Sequence, residues 1–129
     1  MKLGYAIIYV ADVVATVDFY ERAFGVPRRF VHKNGLYAEL DTGQTALAFA
    51  GEEMADMNGV TVRPNRLEET AAGIEIAFVT DDPDAAYAQA LAAGAIAVSP
   101  PKTKPWGQIV AYVRDCNECL VEICSPVGG

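Results

Sequence analysis

The chain has 129 residues, of which 52% are hydrophobic and 21% charged, a composition typical of one globular domain with an apolar core. Its formal net charge is −7 and its 10 lysines and arginines are scattered, which argues against binding to nucleic acid. No apolar run approaches the roughly 20 residues of a membrane span, and 3 cysteines are too few for a disulfide scaffold. We therefore predict a cytoplasmic protein with reduced thiols and no membrane partner.

The first half of the chain predicts a β-α-β-β-β unit. Tyr5–Val10 is an apolar, aromatic and β-branched run typical of a buried strand. Asp12 can cap a following helix whose apolar residues recur at helical spacing, and Gly25 with Pro27 ends that helix. Three more strands are predicted over residues 29–33, 36–40 and 45–50, separated by turn-forming residues.

The second half repeats this pattern after a polar connector over residues 51–73. Asp12 and Asp81, 69 positions apart, each end an apolar run and are each followed 13 residues later by a glycine. The predicted elements are a strand over 74–79, a helix from Pro83 to Ala93, a strand over 95–98, a proline-rich loop over 99–105, and a hairpin of strands 108–113 and 119–124. Because one such unit is too small to bury its own apolar face, we expect the two to cover each other around any ligand cavity.

Both ends of the chain carry segments with a family resemblance. The segments are Tyr9-Val10-Ala11-Asp12 followed by Asp18-Phe19-Tyr20 and Phe24-Gly25, and Tyr112-Val113-Arg114-Asp115 followed by Leu120-Val121-Glu122-Ile123. They resemble the opening and closing signatures of the vicinal oxygen chelate (VOC) superfamily, which includes glyoxalase I, extradiol dioxygenases, fosfomycin-resistance enzymes and bleomycin-resistance proteins. The resemblance implies an α+β fold of two paired β-α-β-β-β modules, residues 1–50 and 74–126, that form an open, cup-shaped mixed sheet. It also implies a homodimer.

The resemblance also implies where metal-dependent relatives would hold their ion. The matching positions are Tyr5, Ala48, Glu75 and Glu122, and only Glu122 has the residue type usual in the family. Zinc, nickel and iron sites of this kind need imidazole ligands, but the chain has 1 histidine, His32, next to a predicted turn. We therefore predict no cofactor and no metal. Glu75 and Glu122 would hold a hard divalent ion only if the protein were an enzyme.

Aromatic and acidic side chains are predicted to meet in the cup. Strand alternation puts Tyr5 and Tyr9 on one face of the first strand, away from the helices. Trp106, the only tryptophan, either covers the rim of the cup or stacks on a ligand. The predicted ligand-binding residues are Tyr5, Tyr9, Tyr37, Glu39, Glu75, Trp106, Gln108, Tyr112 and Glu122, and no catalytic residue is assigned.

Aromatic rings beside carboxylates favour a ligand that is small, cationic and aromatic. Among the relatives, the chain is most similar to bleomycin-resistance proteins, which implies antibiotic resistance through stoichiometric sequestration without a metal. The alternative is a glyoxalase-like lyase or isomerase that uses Glu75 or Glu122 as general base, with or without a divalent metal. A third possibility is an interaction module whose cup is filled by its own side chains.

Cys116 and Cys119 form a C-x-x-C on a predicted hairpin turn, where reduced thiols are expected rather than a disulfide or zinc site.

Overall fold

The computed structural model describes residues 1–66 and 68–128. The chain divides between Asn65 and Arg66 into two compact units, called unit 1 and unit 2 here. Each unit contains a four-stranded sheet of parallel and antiparallel strands, together with helices. The predicted α+β class is therefore confirmed. Within the described ranges, no helix has the length and apolar character needed to cross a membrane.

Unit 1 is a sheet of four strands with a long and a short helix. Its elements are β1 (Tyr5–Val10), α1 (Val13–Phe24), β2 (Arg28–Val31), β3 (Tyr37–Leu40), β4 (Ala46–Gly51) and α2 (Glu53–Met57). The strand order is β1-β4-β3-β2, with β1 parallel to β4 and the other pairs antiparallel. The short helix α2 and the last residue of β4 lie in the segment predicted as connector, which thus contains a helical turn.

Helix α1 begins and ends where the sequence predicts. The Asp12 side chain accepts a hydrogen bond from the Ala15 backbone N–H at 3.0 Å, as an N-cap does. Gly25 ends the helix with φ of 66°, a left-handed conformation in which glycine has no steric penalty. The helix packs on β3 and β4, where the Tyr20 and Phe49 rings lie 4.9 Å apart. One face of the sheet is thus buried under α1.

Unit 2 has the same strand order with one long helix. Its elements are β5 (Glu75–Val79), α3 (Pro83–Ala92), β6 (Ile96–Thr103), β7 (Ile109–Arg114) and β8 (Leu120–Cys124). The order is β5-β8-β7-β6, with β5 parallel to β8. Helix α3 packs against β6, β7 and β8. We call the face of this sheet that lies opposite α3 the helix-free face.

Two details of unit 2 differ from the sequence prediction. The residue that caps α3 is Asp82, which accepts from the Ala85 N–H at 3.1 Å, so the repeat matches Asp12 to Asp82 and not to Asp81. The second difference is that β6 continues through the predicted proline-rich loop to Thr103. Strand β6 lies at the sheet edge with register shifts at Ser99, and Pro100 and Pro101 are tolerated there because an edge strand leaves N–H groups unpaired anyway.

The turn between β7 and β8 is built from charged side chains. Glu118 has φ of 74°, which is strained for a residue with a side chain, yet only 2% of it is exposed. Its carboxylate forms an ion pair with Arg114 at 2.6 Å, and Arg114 also donates to the Glu69 carbonyl at 2.8 Å. These contacts stabilise the hairpin turn and the residues that precede β5. The three cysteines of the chain carry thiol groups, and Cys116 is exposed.

Candidate ligand-binding site

The helix-free face of unit 2 brings together three of the predicted residues. Tyr112 on β7 is directly opposite Glu122 on β8, and its hydroxyl donates to Glu122 Oε1 at 2.9 Å. Ala77 on β5 is opposite Glu122 on the other side, which places Glu75, two residues earlier, diagonally across from it. The Glu75 and Glu122 carboxyls are hydrogen-bonded to each other. We name Glu75, Tyr112, Glu122 and Cys124 the carboxyl cluster.

The two carboxyls of the cluster have opposite pKa shifts. Partial desolvation raises the pKa of Glu75, and the hydrogen bond and negative charge of Glu122 raise it further. Desolvation also acts to raise the pKa of Glu122, but polar interactions with Cys124, Tyr112 and Glu75 outweigh it and lower the pKa. Glu122 is therefore the carboxylate that stays ionised, and Glu75 is the group that keeps a proton longer as pH rises.

Cys124 and Lys104 complete the surroundings of Glu122. The Cys124 thiol is buried and donates to the Phe78 carbonyl at 3.6 Å; desolvation, followed by the interaction with the Glu122 carboxylate, raises the pKa of the thiol to about 11. The positive charge of Lys104, on the loop between β6 and β7, contributes to lowering the pKa of Glu122. Desolvation and the bond to Glu122 also raise the pKa of Tyr112 to about 12. The thiol and the phenol thus remain protonated donors at neutral pH.

Trp106 and Gln108 lie on the same loop, and Gln108 interacts with Cys124 of the carboxyl cluster. Trp106 is 62% exposed, and its indole Nε1–H donates to Gln108 Oε1 at 2.8 Å. Gln108 is buried and donates through Nε2 to the Ser125 carbonyl at 2.9 Å. The exposed indole ring therefore lies two positions from Lys104 in the chain, and its N–H is hydrogen-bonded to a buried side chain. Its other surfaces are accessible to a ligand.

The remaining four predicted residues belong to unit 1. The Tyr37 hydroxyl donates to Glu39 Oε2 at 2.8 Å, and Arg29 forms a longer ion pair with Glu39 Oε1 at 3.6 Å. Desolvation, followed by the bond to Glu39, raises the pKa of Tyr37 to about 12. Tyr5 is 58% exposed, whereas the Tyr9 hydroxyl accepts from the Asn58 side chain at 3.1 Å. The Glu39 carboxylate of unit 1 therefore has Arg29 as a cationic neighbour. Tyr5 interacts electrostatically with Tyr37.

The positions that would carry a metal in this fold do not suit a transition metal. Ala48 is fully buried and has no donor atom, and Glu75 and Glu122 use their oxygens for the hydrogen bonds of the carboxyl cluster. Across residues 1–66 and 68–128, no group of three or more histidine, cysteine, aspartate or glutamate side chains could hold a metal ion. Imidazole-containing sites of the zinc or iron type therefore do not fit these residues.

Comparison with known sequences establishes the family. The sequence model of the Glyoxalase/Bleomycin resistance protein/Dioxygenase superfamily matches residues 2–123. The chain belongs to this superfamily. This confirms the predicted VOC membership, while the bleomycin-resistance subtype remains a prediction. A relative from Bacillus subtilis (strain 168), the uncharacterized protein YraH, is 29% identical over 126 residues, which are 95% of this chain and 97% of that protein.

Solved structures show the same fold at low sequence identity. A glyoxalase-related enzyme from Fulvimarina pelagi has a TM-score of 0.82 at 20% identity, covering 98% of this chain and 88% of that chain. A glyoxalase/bleomycin resistance protein/dioxygenase family enzyme from Burkholderia phytofirmans PsJN also has a TM-score of 0.82, at 23% identity, covering 97% of this chain and 98% of that chain. TioX from Micromonospora sp. ML1 has a TM-score of 0.71 at 23% identity, covering 97% and 98%. At these identities the likeness concerns the fold.

Three residues of the site region were not singled out from the sequence. Cys124 shares the strand face of Glu122, so alternation along β8 could have revealed it. Lys104 and Ser125 had no such signal in the sequence. Both lie outside the strands, and the path of the folded backbone brings the Lys104 charge to Glu122 and the Ser125 carbonyl to Gln108. Gln108 was predicted as a ligand contact, and the structure shows that both ends of its amide already have protein partners.

Proposed function

We propose that this protein binds a small cationic and aromatic molecule on the helix-free face of unit 2, without a metal. The observation that carries the proposal is the carboxyl cluster: two carboxyls interact with each other, and an exposed tryptophan is hydrogen-bonded to Gln108, which interacts with Cys124 of the cluster. Glu75 is exposed, so a ligand can reach it from solvent. Bleomycin-type antibiotics are the ligand class we put forward, with sequestration as the protective mechanism.

The charge balance of the cluster favours a cation. When Glu75 and Glu122 are both ionised, they carry two negative charges, and Lys104 supplies one positive charge in their vicinity. One negative charge is then left without compensation. A single positive group on a ligand would neutralise it and replace the proton that the two carboxyls share at lower pH. Binding of a cation should therefore release protons, and its affinity should rise as Glu75 ionises.

Aromatic side chains supply the apolar part of the proposed site. Trp106 offers an exposed ring face, on which a planar group can stack, and the half-buried Tyr112 lies beside the carboxylates. Stacking on such rings contributes on the order of 1 kcal/mol beyond the area buried. Sequestration requires no chemical step, so the protein would protect only when present at or above the drug concentration.

The test is calorimetric titration of chelator-treated protein with metal-free bleomycin. We expect saturation at about one equivalent per site and an observed enthalpy that changes with the ionisation enthalpy of the buffer at pH near 5, because protons are released. Glu75→Gln should weaken binding and abolish the buffer dependence, and Glu68→Gln, which makes the same charge change at an exposed residue, should do neither. Absence of saturable binding, or equal affinity in Glu75→Gln, would refute this function.

The alternative function is a lyase or isomerase, and one observation favours it. A carboxyl with a raised pKa next to one with a lowered pKa is the arrangement of an acid and a base, with Glu122 as the base. The assay is incorporation of deuterium at the α-carbon of a small α-hydroxy carbonyl compound in D2O, followed by NMR. Multiple turnovers that are lost in Glu122→Ala would support the enzyme, and absence of exchange together with saturable drug binding would support sequestration.

A further inference from the structure

The ring of Trp106 is exposed but tethered. Its exposed fraction is 62%, whereas Gln108 is only 8% exposed. The Gln108 amide accepts from the indole Nε1–H at 2.8 Å and donates to the Ser125 carbonyl at 2.9 Å. One buried amide thus connects the exposed ring to the backbone immediately after β8, the strand that carries Glu122.

The loop that carries the ring is held as well. The Lys104 N–H donates to the Gln108 carbonyl, and the Gly107 N–H donates to the Lys104 carbonyl, both at 2.8 Å. Gly107 has φ of 92°, a conformation that favours glycine and closes this tight turn. Exposed side chains without such restraints change rotamer in picoseconds to nanoseconds. With both the backbone and the indole N–H hydrogen-bonded, the ring has one preferred orientation.

We infer that Gln108 is a positioning residue for ligand binding, which holds the Trp106 ring in the orientation that accepts a planar group. Gln108 acts through Trp106 and leaves the ligand contact to the ring. The inference rests on the proposed function and narrows its ligand class: the positive group is attached to a flat, unsaturated ring. Because the tryptophan ring is already fixed before the ligand binds, binding does not have to restrict its rotation. This lowers the dissociation constant by about fivefold.

Two small probes separate ring stacking from charge recognition. Benzamidine and acetamidine carry the same amidinium group, and only benzamidine has an aromatic ring. We expect the native protein to bind benzamidine more tightly than acetamidine, and Trp106→Leu to bind both equally. In Gln108→Leu, the dissociation constant of benzamidine should rise about fivefold while that of acetamidine stays the same. Equal binding of the two probes by native protein would overturn the ring-bearing ligand class.

Ser125 provides the matched control for this substitution. Its hydroxyl accepts from the Ile109 N–H at 2.9 Å, whereas Gln108 uses the Ser125 backbone carbonyl. Ser125→Ala therefore removes a nearby side-chain hydrogen bond and keeps the tether. Its preference for benzamidine over acetamidine should equal that of the native protein. A loss of preference in Ser125→Ala as large as in Gln108→Leu would assign the effect to general loosening of the loop and overturn the role of Gln108.

Fluorescence tests the tether without any ligand. Trp106 is the only tryptophan, so time-resolved anisotropy of the protein reports on this ring alone. Native protein and Ser125→Ala should show only overall tumbling, and Gln108→Leu should gain a fast local component. A fast component already present in native protein would overturn the inference even if Gln108→Leu failed to fold. If neither amidine binds while the ring is rigid, the proposed function fails and the tether stands.

Discussion

Opposite effects on stability are expected when the two carboxyls of the cluster are neutralised one at a time. Glu75 has a raised pKa, so its favourable contribution to folding is present below its unfolded value near 4.5 and is lost as pH rises through the folded pKa. Glu122 has a lowered pKa, so its contribution is present above 4.5 and is lost as pH falls through the folded pKa. At pH 8, Glu75→Gln should therefore stabilise the protein, and Glu122→Gln should destabilise it.

The magnitude follows from the repulsion between the two carboxylates. Carboxyls that share a hydrogen bond have charge centres about 4 Å apart, where two unit charges repel by about 1 kcal/mol in water and about 4 kcal/mol at a dielectric constant of 20. Glu75 is exposed, so the lower value applies. A glutamine at this position removes the repulsion and donates an N–H to Glu122. We expect the free energy of unfolding to rise by about 1 kcal/mol at pH 8, equivalent to about 3 °C in Tm.

The assay is urea denaturation of native protein, Glu75→Gln, Glu122→Gln and the control Glu68→Gln between pH 4 and pH 8. The gain in Glu75→Gln should grow with pH and vanish at pH 4, where the native side chain is protonated. Glu122→Gln relieves the same repulsion, but it also removes the charge that accepts from Tyr112 and faces Lys104, interactions worth about 2 kcal/mol together, so a net loss of about 1 kcal/mol is expected at pH 8. If both variants shift stability in the same direction at pH 8, the assignment of the shared proton is wrong.

Three further predictions concern single contacts, each checked by urea denaturation. Tyr112→Phe removes the 2.9 Å hydrogen bond to Glu122 and should cost about 1 kcal/mol, with the midpoint of the acid-side stability loss moving to higher pH; an unchanged midpoint would contradict it. Asp82→Ala should cost about 1 kcal/mol through loss of the α3 cap, and Asp81→Ala close to nothing; the reverse order would place the cap at Asp81. Glu118→Ala should cost about 3 kcal/mol because it leaves Arg114 without its 2.6 Å ion pair, and a loss below about 1 kcal/mol would mean that this pair contributes little.

Local features of the sequence were sufficient to predict most of the fold. A side chain that caps a helix acts three residues away, and the conformational freedom of a glycine is a property of that residue, so both ends of α1 could be predicted at Asp12 and Gly25. Alternation along β8 is likewise sufficient to place Glu122 and Cys124 on one face. The strand over residues 99–103 was missed because prolines signal a loop in sequence, and only the position of β6 at a sheet edge makes them compatible with a strand.

The candidate site depended far more on tertiary structure. Composition and alternation indicated carboxylates among aromatic rings, but the registers of β5 and β7 against β8 decided that Glu75 and Tyr112 both reach Glu122. The same holds for Gln108, whose amide could face a ligand or the backbone of Ser125, and which is 17 residues away from that serine in sequence. A polar side chain is recognisable in a sequence by its chemistry, whereas its partner is set by which strands lie next to each other. That pairing is a property of the whole folded sheet.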